Sequence, residues 1–358
     1  MPKVLSVATA GLRAGQLDDI HNCCFPRVDY LEIQRLISAD TLDYSQYRDK
    51  FSGGFFRYLE TQLRSDVYLS TLSWMRSRQY PLVFTWSERA GIPFAFYKKI
   101  IHLNGRFITM FTCWSHRQET VITKLGLFAV MDEIIVHCTS MKRKLTALGA
   151  AADSVHIIPY SIDQAFFIPQ TNTKPEKNVI FSVGEPRTRD YPALIKAVGG
   201  LSCHLKIAAS GHWYAREKNH RIKSSFPDNV TIIRHLPQVE LRRMYESAQF
   251  VVLPVHNLVY SAGATSTLEA SAMARAVIAF RSEGITDYIV DGETGILIDP
   301  GDFRAMRDAI EYLLANPHEA RRMGENARQQ IEEKLSLETY VAKIADLLKR
   351  NIPISTEV

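Results

Sequence analysis

The fold of this chain is decided between Phe250 and Gly295, where the sequence reads Phe250-Val-Val-Leu-Pro-Val255, Ser261-Ala-Gly-Ala-Thr-Ser-Thr-Leu-Glu269, Ala276-Val-Ile-Ala-Phe280 and Asp291-Gly-Glu-Thr-Gly295. The pattern predicts a buried strand, a loop of small residues, a helix with one carboxylate, a second buried strand and a glycine-marked turn. Backbone N–H groups and the positive end of a helix dipole at such a loop favour an anion. Because the carboxylate can accept hydrogen bonds from sugar hydroxyls, the segment predicts a ligand that carries both phosphate and sugar.

Short apolar runs alternate with amphipathic segments along all 358 residues, which is the pattern of βα units and a parallel sheet. The predicted strands of the first half are Val4–Thr9, Leu82–Thr85, Phe107–Cys113, Ile134–Cys138 and Val155–Ile158. Those of the second half are Val179–Val183, Leu205–Ala209, Val230–Ile233, Phe250–Val255 and Ala276–Phe280. Helices are predicted between the strands, with Ser140 as the N-cap of one of them. No element is predicted over residues 40–65.

A polar segment without an apolar period separates the two series of strands. We therefore predict an N-terminal domain over residues 1–168, a linker over 169–177 and a C-terminal domain over 178–335. Both domains are predicted to be doubly wound, Rossmann-like α/β domains that face each other across a cleft. Ligands of such sheets bind beyond the carboxyl ends of the strands, so the cleft is the expected site.

The composition fits a globular protein, with 46% hydrophobic and 23% charged residues. A formal net charge of +5 suits an anionic small substrate or an anionic membrane surface and is too weak to predict nucleic-acid binding. The five cysteines are odd in number and form no C-x-x-C pair, so we interpret them as reduced thiols that mostly fill packing space. With no signal-peptide pattern and no long apolar run, we expect a cytoplasmic protein and leave peripheral contact with the inner membrane face open.

The second half resembles the donor-binding region of family 4 retaining glycosyltransferases of the GT-B fold. The resemblance is carried by the Gly263 loop, by Leu268-Glu269-Ala270, and by Asp291-Gly-Glu-Thr-Gly295 with Pro300-Gly-Asp302. Further matches at Val155–Pro159 and around Val183-Gly184 extend it over roughly the last two thirds of the chain. It implies a nucleotide-sugar donor bound by the second domain, an acceptor bound by the first, and a C-terminal helix over residues 336–352 that packs back on the first domain.

The resemblance also sets the expected chemistry. It implies transfer with retention of configuration and without a metal or cofactor, and the sequence has no paired-Asp motif and no His/Cys cluster at ligand spacing. UDP is the commonest nucleotide in such donors, so a UDP-sugar is expected. The acceptor is expected to be a sugar, a polysaccharide or a lipid-linked molecule, in polysaccharide or glycolipid synthesis.

The donor site is expected to centre on Glu269, which by the family match would bind the ribose hydroxyls. In the alternative interpretation, Ser266-Thr-Leu-Glu269 is a capping box and the glutamate caps its own helix. By the same match, Gly263 and residues Thr265, Ser266 and Thr267 would surround the β-phosphate, although ordinary N-capping explains the three hydroxyl residues equally well.

Two departures from the family pattern concern charge. Ser261 stands where the family has a second carboxylate near the donor sugar, and Glu185 stands where it has a first basic residue. Arg187 and Arg189 are the remaining candidates to contact the diphosphate, and Arg189 matches the second basic position best. For either arginine the alternative is a solvated basic loop.

In the first domain the resemblance implies that His116 contacts the donor sugar or the transferred group, and Glu88 is a candidate for the acceptor hydroxyls. The alternatives are a buried core histidine and a surface glutamate. The basic segments Lys98-Lys99 and Lys142-Arg143-Lys144 could meet anionic lipid or a diphosphate-linked acceptor, or could be a solvated helix face.

We expect a metal-independent, retaining glycosyltransferase. In its front-face mechanism, Arg189 and the helix start at Thr265–Thr267 help the diphosphate to leave, and the departing oxygen takes the proton of the acceptor hydroxyl. One alternative is a Rossmann oxidoreductase, but Val183-Gly-Glu-Pro-Arg187 lacks the required Gly-x-Gly-x-x-Gly. The other is a non-catalytic sugar-nucleotide-binding module on a decayed GT-B fold, which the changes at Ser261 and Glu185 keep open.

Overall fold

The computed structural model describes residues 3–9, 11–44, 54–170, 174–209, 226–234 and 236–353. The chain divides into two compact units. The first comprises Met1–His21, Arg27–Pro159 and Glu338–Val358, and the second comprises Asn22–Pro26 and Tyr160–Leu337. Each unit contains one six-stranded sheet.

The first sheet is parallel and has the strand order β2-β1-β3-β4-β5-β6. Its strands are β1 (Val4–Val7), β2 (Asp40–Leu42), β3 (Leu82–Thr85), β4 (Arg106–Phe111), β5 (Glu133–Val136) and β6 (Val155–Ile157). The α-helices of this unit are α1 (Gln16–His21), α2 (Asp29–Ile37), α3 (Gly54–Leu63), α4 (Val67–Ser77), α5 (Glu88–Ile101), α6 (His116–Leu125), α7 (Thr139–Ala147) and α13 (Leu337–Asn351). The central strands are buried on both faces, which explains their continuous apolar runs.

The second sheet is also parallel and has the order β12-β11-β10-β7-β8-β9. Its strands are β7 (Val179–Val183), β8 (His204–Ala208), β9 (Val230–Ile233), β10 (Phe250–Leu253), β11 (Val277–Phe280) and β12 (Gly295–Ile298). Its α-helices are α8 (Tyr191–Val198), α9 (Gln238–Ser247), α10 (Ala264–Ala272), α11 (Phe303–Ala315) and α12 (Pro317–Lys334). The strand order reverses direction at β7 and β10, so the loops after these two central strands lie at the switch point where ligands of such sheets bind.

The predicted fold class, two Rossmann-like α/β domains, is confirmed. Two strands were missed: β2 is only three residues long and begins with a polar residue, and β12 directly follows the turn assigned to Asp291–Gly295. The N-cap assignment of Ser140 is wrong, because α7 begins one residue earlier and Ser140 is buried within its first turn.

The domain boundaries differ in detail from the sequence analysis. Residues 160–168 belong to the second unit, since Phe166 and Phe167 are buried in its core. Residues 171–173 of the predicted linker lie outside the described residues, while Glu176 bonds to Ser247 within the second unit. Helix α13 from Glu338 onwards belongs to the first unit. Its Tyr340 hydroxyl donates a hydrogen bond to the sulfur of Met110 on β4.

All five cysteines are free thiols. Cys138 and Cys203 are buried, but Cys23, Cys24 and Cys113 are exposed, so the expectation that most of them fill packing space is wrong. Among the helices that the structure describes, none is long and apolar enough to cross a membrane.

Candidate functional site

Two loops that follow neighbouring central strands form the core of the site in the second unit. The loop after β7 is tied to the loop after β10 by two backbone hydrogen bonds, from Asp190 N–H to Pro254 O (2.7 Å) and from His256 N–H to Thr188 O (3.0 Å). Arg189 also forms an isolated antiparallel bridge with Val255. The carboxyl ends of β7 and β10 therefore present Arg189 from a fixed backbone.

Arg189 is a buried cation whose hydrogen-bond partners are all neutral. Its side chain is 4% exposed, and its guanidinium donates to Val183 O (3.2 Å), Thr188 Oγ1 (2.9 Å) and Ser266 Oγ (3.3 Å). Burial lowers the pKa of this arginine, and within the described residues it has no carboxylate partner at ion-pair distance. A buried charge without a counterion is unfavourable, so the arrangement is suited to an anionic ligand.

The backbone at Gly184 passes directly against the guanidinium of Arg189. Gly184 has φ +139°, and a Cβ atom there would lie 2.5 Å from Nη2 of Arg189. A side chain at this position would displace the arginine, so the glycine that follows β7 is needed for the guanidinium to occupy its position.

Helix α10 begins against the same guanidinium. Its N-cap is Gly263, with φ +92°, and a Cβ atom there would approach Val255 Cγ2 to 2.9 Å. The amide N–H groups of Thr265 and Ser266, in the first turn, donate to no acceptor among the described residues. These free donors and the helix dipole favour an anion beside Arg189.

Two buried hydroxyls around this helix start also lack partners in the described part of the chain. They are Oγ of Ser261 and Oγ1 of Thr267. Buried polar atoms are nearly always hydrogen-bonded in folded proteins, and leaving one unpaired costs about 1–3 kcal/mol. Both lie on the segment that the sequence analysis assigned to the donor, which makes them candidates for ligand contact.

Glu269 lies within α10 and is 8% exposed. Its Oε2 accepts a hydrogen bond of 2.6 Å from the Tyr245 hydroxyl, while Oε1 accepts none from the described residues. The capping-box interpretation is wrong, because Gly263 and not Ser266 is the N-cap. Burial raises the pKa of Glu269 to about 7, although the Tyr245 hydrogen bond and the charge of Arg189 both lower it.

Tyr245 on α9 is the site residue whose role the sequence analysis missed. It is fully buried, and its ring packs edge-to-face on Phe181 with 5.1 Å between the ring centroids. Its hydroxyl reaches Glu269 across 24 residues of sequence. Helical periodicity could place Tyr245 on the buried face of α9, but no local spacing connects it to a particular carboxylate.

Arg187 differs sharply from Arg189 although both lie in one loop. Its side chain is 73% exposed and approaches Glu185 at 3.8 Å, at the edge of ion-pair distance. Such an exposed pair adds little to stability. The structure therefore brings Arg189, Gly263, Ser266 and Glu269 together and leaves Arg187 at the surface, where contact with a ligand stays a prediction.

In the first unit, Glu88 is buried and fully engaged. It is 1% exposed, and Oε2 accepts from Thr112 N–H (2.9 Å), Thr112 Oγ1 (3.1 Å) and Cys113 N–H (3.4 Å). Burial raises its pKa, and these hydrogen bonds lower it. The surface-glutamate alternative is wrong. Glu88 holds the loop after β4, and its direct contact with an acceptor stays a prediction.

His116 follows that same loop as the first residue of α6 and is exposed. The N-cap is Ser115, whose hydroxyl accepts from Gln118 N–H. The alternative of a buried core histidine is therefore wrong. The imidazole makes no hydrogen bond within the described residues and lines a cavity of the first unit.

Lysines of the two basic segments are engaged by the protein. Lys98 pairs with Asp132 at 2.9 Å, Lys99 donates to Leu125 O at 2.6 Å, and Lys144 pairs with Glu119 at 2.9 Å. In the part of the chain that the structure describes, no group of three or more His, Cys, Asp or Glu side chains could hold a metal ion.

Comparison with known proteins finds a family match that lies within the second unit. Residues 163–330 match the model of a family described as glycosyl transferases group 1. Over 149 residues the chain is 31% identical to the capsular polysaccharide biosynthesis glycosyltransferase CapM of Staphylococcus aureus, covering 42% of this chain and 36% of that protein. Over 250 residues it is 26% identical to a GDP-mannose-dependent phosphatidylinositol monomannoside mannosyltransferase of Mycolicibacterium smegmatis, covering 64% and 65%. This chain thus spans less than two thirds of the length of these relatives.

Solved structures match over nearly the whole chain. Sucrose-phosphate synthase from Thermosynechococcus elongatus has a TM-score of 0.75 at 16% identity, covering 97% of this chain and 98% of that one. Anabaena HepE in complex with UDP-glucose has a TM-score of 0.73 at 14% identity, covering 97% and 99%. At such identities the likeness concerns the fold. The chain therefore has the GT-B fold of two Rossmann-like domains, and its residues 163–330 are similar to the glycosyl transferases of group 1.

Proposed function

We propose that this chain is a glycosyltransferase that moves a sugar from a nucleoside diphosphate sugar to an acceptor hydroxyl in polysaccharide or glycolipid synthesis. The observation that carries the proposal is the buried guanidinium of Arg189, which has only neutral partners and lies against the start of α10. The match to group 1 glycosyl transferases covers both elements. We expect a UDP-sugar donor, and HepE, which shares the fold, was solved with UDP-glucose.

In this proposal the second unit binds the donor. Arg189 and the free N–H groups of Thr265 and Ser266 contact the diphosphate, with Arg187 as a further, exposed contact. Oε1 of Glu269 accepts from a ribose hydroxyl, since Oε2 is held by Tyr245. Ser261 Oγ, which has no partner among the described residues, contacts the donor sugar, and Thr267 Oγ1 contacts the β-phosphate.

The proposed reaction is a front-face displacement with retention. The bond between the anomeric carbon and the diphosphate oxygen breaks, and the acceptor oxygen forms its bond on the same face of the sugar. The acceptor proton passes to the departing phosphate oxygen. Negative charge develops on the diphosphate, and a fixed cation and a helix start stabilise such charge. Neither a protein nucleophile nor a metal ion is required.

The acceptor is assigned to the first unit. His116 is exposed at the start of α6 and is proposed to contact the donor sugar or the transferred group. Glu88 acts on the acceptor through the Thr112–Cys113 loop that it holds, or directly. We place the reaction in the cytoplasm, because all five cysteines are free thiols and reducing compartments keep them so.

The test is a mass-spectrometric screen of the purified chain against a panel of nucleotide sugars and acceptors, with the anomeric configuration of the product read by NMR. Glu269→Ala and Arg189→Ala are each expected to lower turnover more than tenfold, and EDTA is expected to leave it unchanged. Near-normal turnover in both variants would reject the donor site. Binding of UDP without sugar transfer to any acceptor would favour the non-catalytic module instead.

A further inference from the structure

An apolar groove lies on the surface of the first unit, with a volume of about 550 Å³. Its apolar lining comes from α3, α4, α5 and α6 and includes Leu63, Val67, Ile92, Phe96, Val121 and Leu125. Several of these are exposed to water, namely Leu63 (52%), Phe96 (39%), Val121 (39%) and Leu125 (41%). A concave site of this volume with a mainly apolar lining falls within the range of small-molecule binding sites, about 300–1,000 Å³.

The groove runs along α6. His116, the first residue of that helix, and Leu125, the last, both line it. Ten helical residues extend over about 15 Å. The groove therefore extends along α6 from the histidine that is proposed to face the reacting sugar to Leu125.

Three polar side chains of the lining are bonded to the protein itself. Ser65 donates to Leu63 O, Thr120 donates to His116 O, and the Tyr97 hydroxyl bonds to Thr71 Oγ1 at 2.9 Å. A bound peptide would need partners for its backbone N–H and C=O groups, and the channel offers few. A hydrocarbon chain needs none, and the burial of its methylene groups favours binding.

Arg117, which directly follows His116 in α6, adds a cation to the lining of the groove and donates to Gln62 O. Arg64 is exposed and lies between the lining residues Leu63 and Ser65 in the sequence. Within the described residues neither arginine forms an ion pair. An anionic head group on a hydrocarbon chain would meet positive charge here, next to the histidine, and apolar contact along the rest of the channel.

From this arrangement we infer that the groove binds the hydrocarbon chain of a lipid acceptor, whose anionic, hydroxyl-bearing head lies at His116. The inference rests on the proposed function and narrows its acceptor to the lipid-linked class. In this inference a single lipid molecule places its hydrocarbon chain in the groove. The groove is not a surface that rests on a bilayer.

The test uses dodecyl phosphate as a probe, titrated into the full chain below the concentration at which the probe forms micelles and followed by calorimetry. Saturable binding is expected, and inorganic phosphate should not displace it. Val121→Asp places a charge in the channel and should weaken binding at least tenfold. Val290→Asp is the matched control, because Val290 is 43% exposed in the second unit and should leave binding unchanged.

Four outcomes would overturn the inference. They are absence of saturable binding, equal affinity in wild type and Val121→Asp, binding only when anionic vesicles are present, and a dimer in solution that Val121→Asp dissociates. Circular dichroism checks that the variant folds, and Val121→Trp, which fills the channel with an apolar ring, should also weaken binding. UDP affinity separates the proposed donor site from the proposed lipid groove. Val121→Asp should leave UDP affinity unchanged. If wild type does not bind UDP, the donor site is rejected and the lipid groove is not.

Discussion

The Tyr245 hydroxyl donates a hydrogen bond of 2.6 Å to Oε2 of Glu269, and it is the one neighbour from another helix that holds this carboxylate in the described structure. Both groups are buried among the apolar side chains behind α9 and α10. The bond fixes the rotamer of Glu269 and leaves Oε1 for a ligand. A buried tyrosine thus positions the carboxylate on which the proposed ribose contact depends.

Tyr245→Phe removes only that hydroxyl and keeps the ring that packs on Phe181. Glu269 then loses its donor while it stays buried, so we expect a loss of about 1–3 kcal/mol in the free energy of unfolding. UDP affinity should fall as well, because the carboxylate is no longer fixed. Chemical denaturation and UDP titration measure both effects, with Tyr312→Phe, at a 47% exposed site, as the control. Equal stability of the two variants would contradict the role assigned to Tyr245.

The raised pKa of Glu269 predicts a specific dependence of stability on pH. Its usual value is 4.5 and burial raises it to about 7. Between these values the folded protein holds a proton that the unfolded chain has released, so stability falls as the pH rises from 4.5 to 7. The loss is at most roughly 3 kcal/mol. Glu269→Gln carries no such proton and should lack this fall.

The measurement is the difference in unfolding free energy between wild type and Glu269→Gln at several pH values, in which other titrating groups cancel. The variant should gain relative to wild type as the pH rises to 7 and then stay level. A flat curve for Glu269→Gln would show that the carboxylate is not desolvated in the native protein.

Local sequence patterns were sufficient for the described strands other than β2 and β12 and for the loops that follow them. Continuous apolar runs marked β7 and β10, and small residues marked the start of α10. The family resemblance then named Arg189 and Glu269 before their surroundings were known. The burial of Arg189 could not be predicted, because it depends on a backbone tie between Asp190 and Pro254, 64 positions apart. The burial of Glu88 could not be predicted for the same reason, since its partners Thr112 and Cys113 follow a different strand.

Arg189 and Arg187 lie in one loop and differ in burial, so comparing them tests whether the buried arginine is the one that contacts the diphosphate. Both are cations of one loop, but Arg189 is 4% exposed with neutral partners, and the Arg187 side chain is 73% exposed. Arg189→Ala should weaken UDP binding by about tenfold or more, since charge-assisted hydrogen bonds to a diphosphate are lost from a desolvated site. Arg187→Ala should change it by less than about threefold, because solvent screens an exposed charge. Isothermal titration compares the two, and equal losses would contradict the assignment of the diphosphate contact to the buried residue.

Gly184→Ala tests whether the backbone at the end of β7 seats Arg189. The new Cβ would lie 2.5 Å from Nη2 of the arginine, so the guanidinium must move, and we expect UDP affinity to fall about tenfold. Gly200→Ala is the matched control. It also adds Cβ at a positive φ, +74°, but meets no atom within 4 Å. Both variants place a side chain at a positive φ and should lose about 1–3 kcal/mol of stability from backbone strain. If Gly200→Ala weakens UDP binding equally, general destabilisation and not displacement of Arg189 is the cause.

A comparison of Ser261 with Ser182 tests whether the buried hydroxyl of Ser261 contacts a ligand. Its buried Oγ has no partner among the described residues, and neither has Oγ of Ser182 within β7. Ser→Ala at either position removes an unsatisfied hydroxyl, so stability should stay equal or rise. Only Ser261→Ala should lower kcat/KM with a nucleotide sugar, by about fivefold for one neutral hydrogen bond. Steady-state kinetics on the two variants makes the comparison. Unchanged kinetics for Ser261→Ala would show that Ser261 does not contact the donor. Ser261 would then not replace the carboxylate that the resemblance implies at this position.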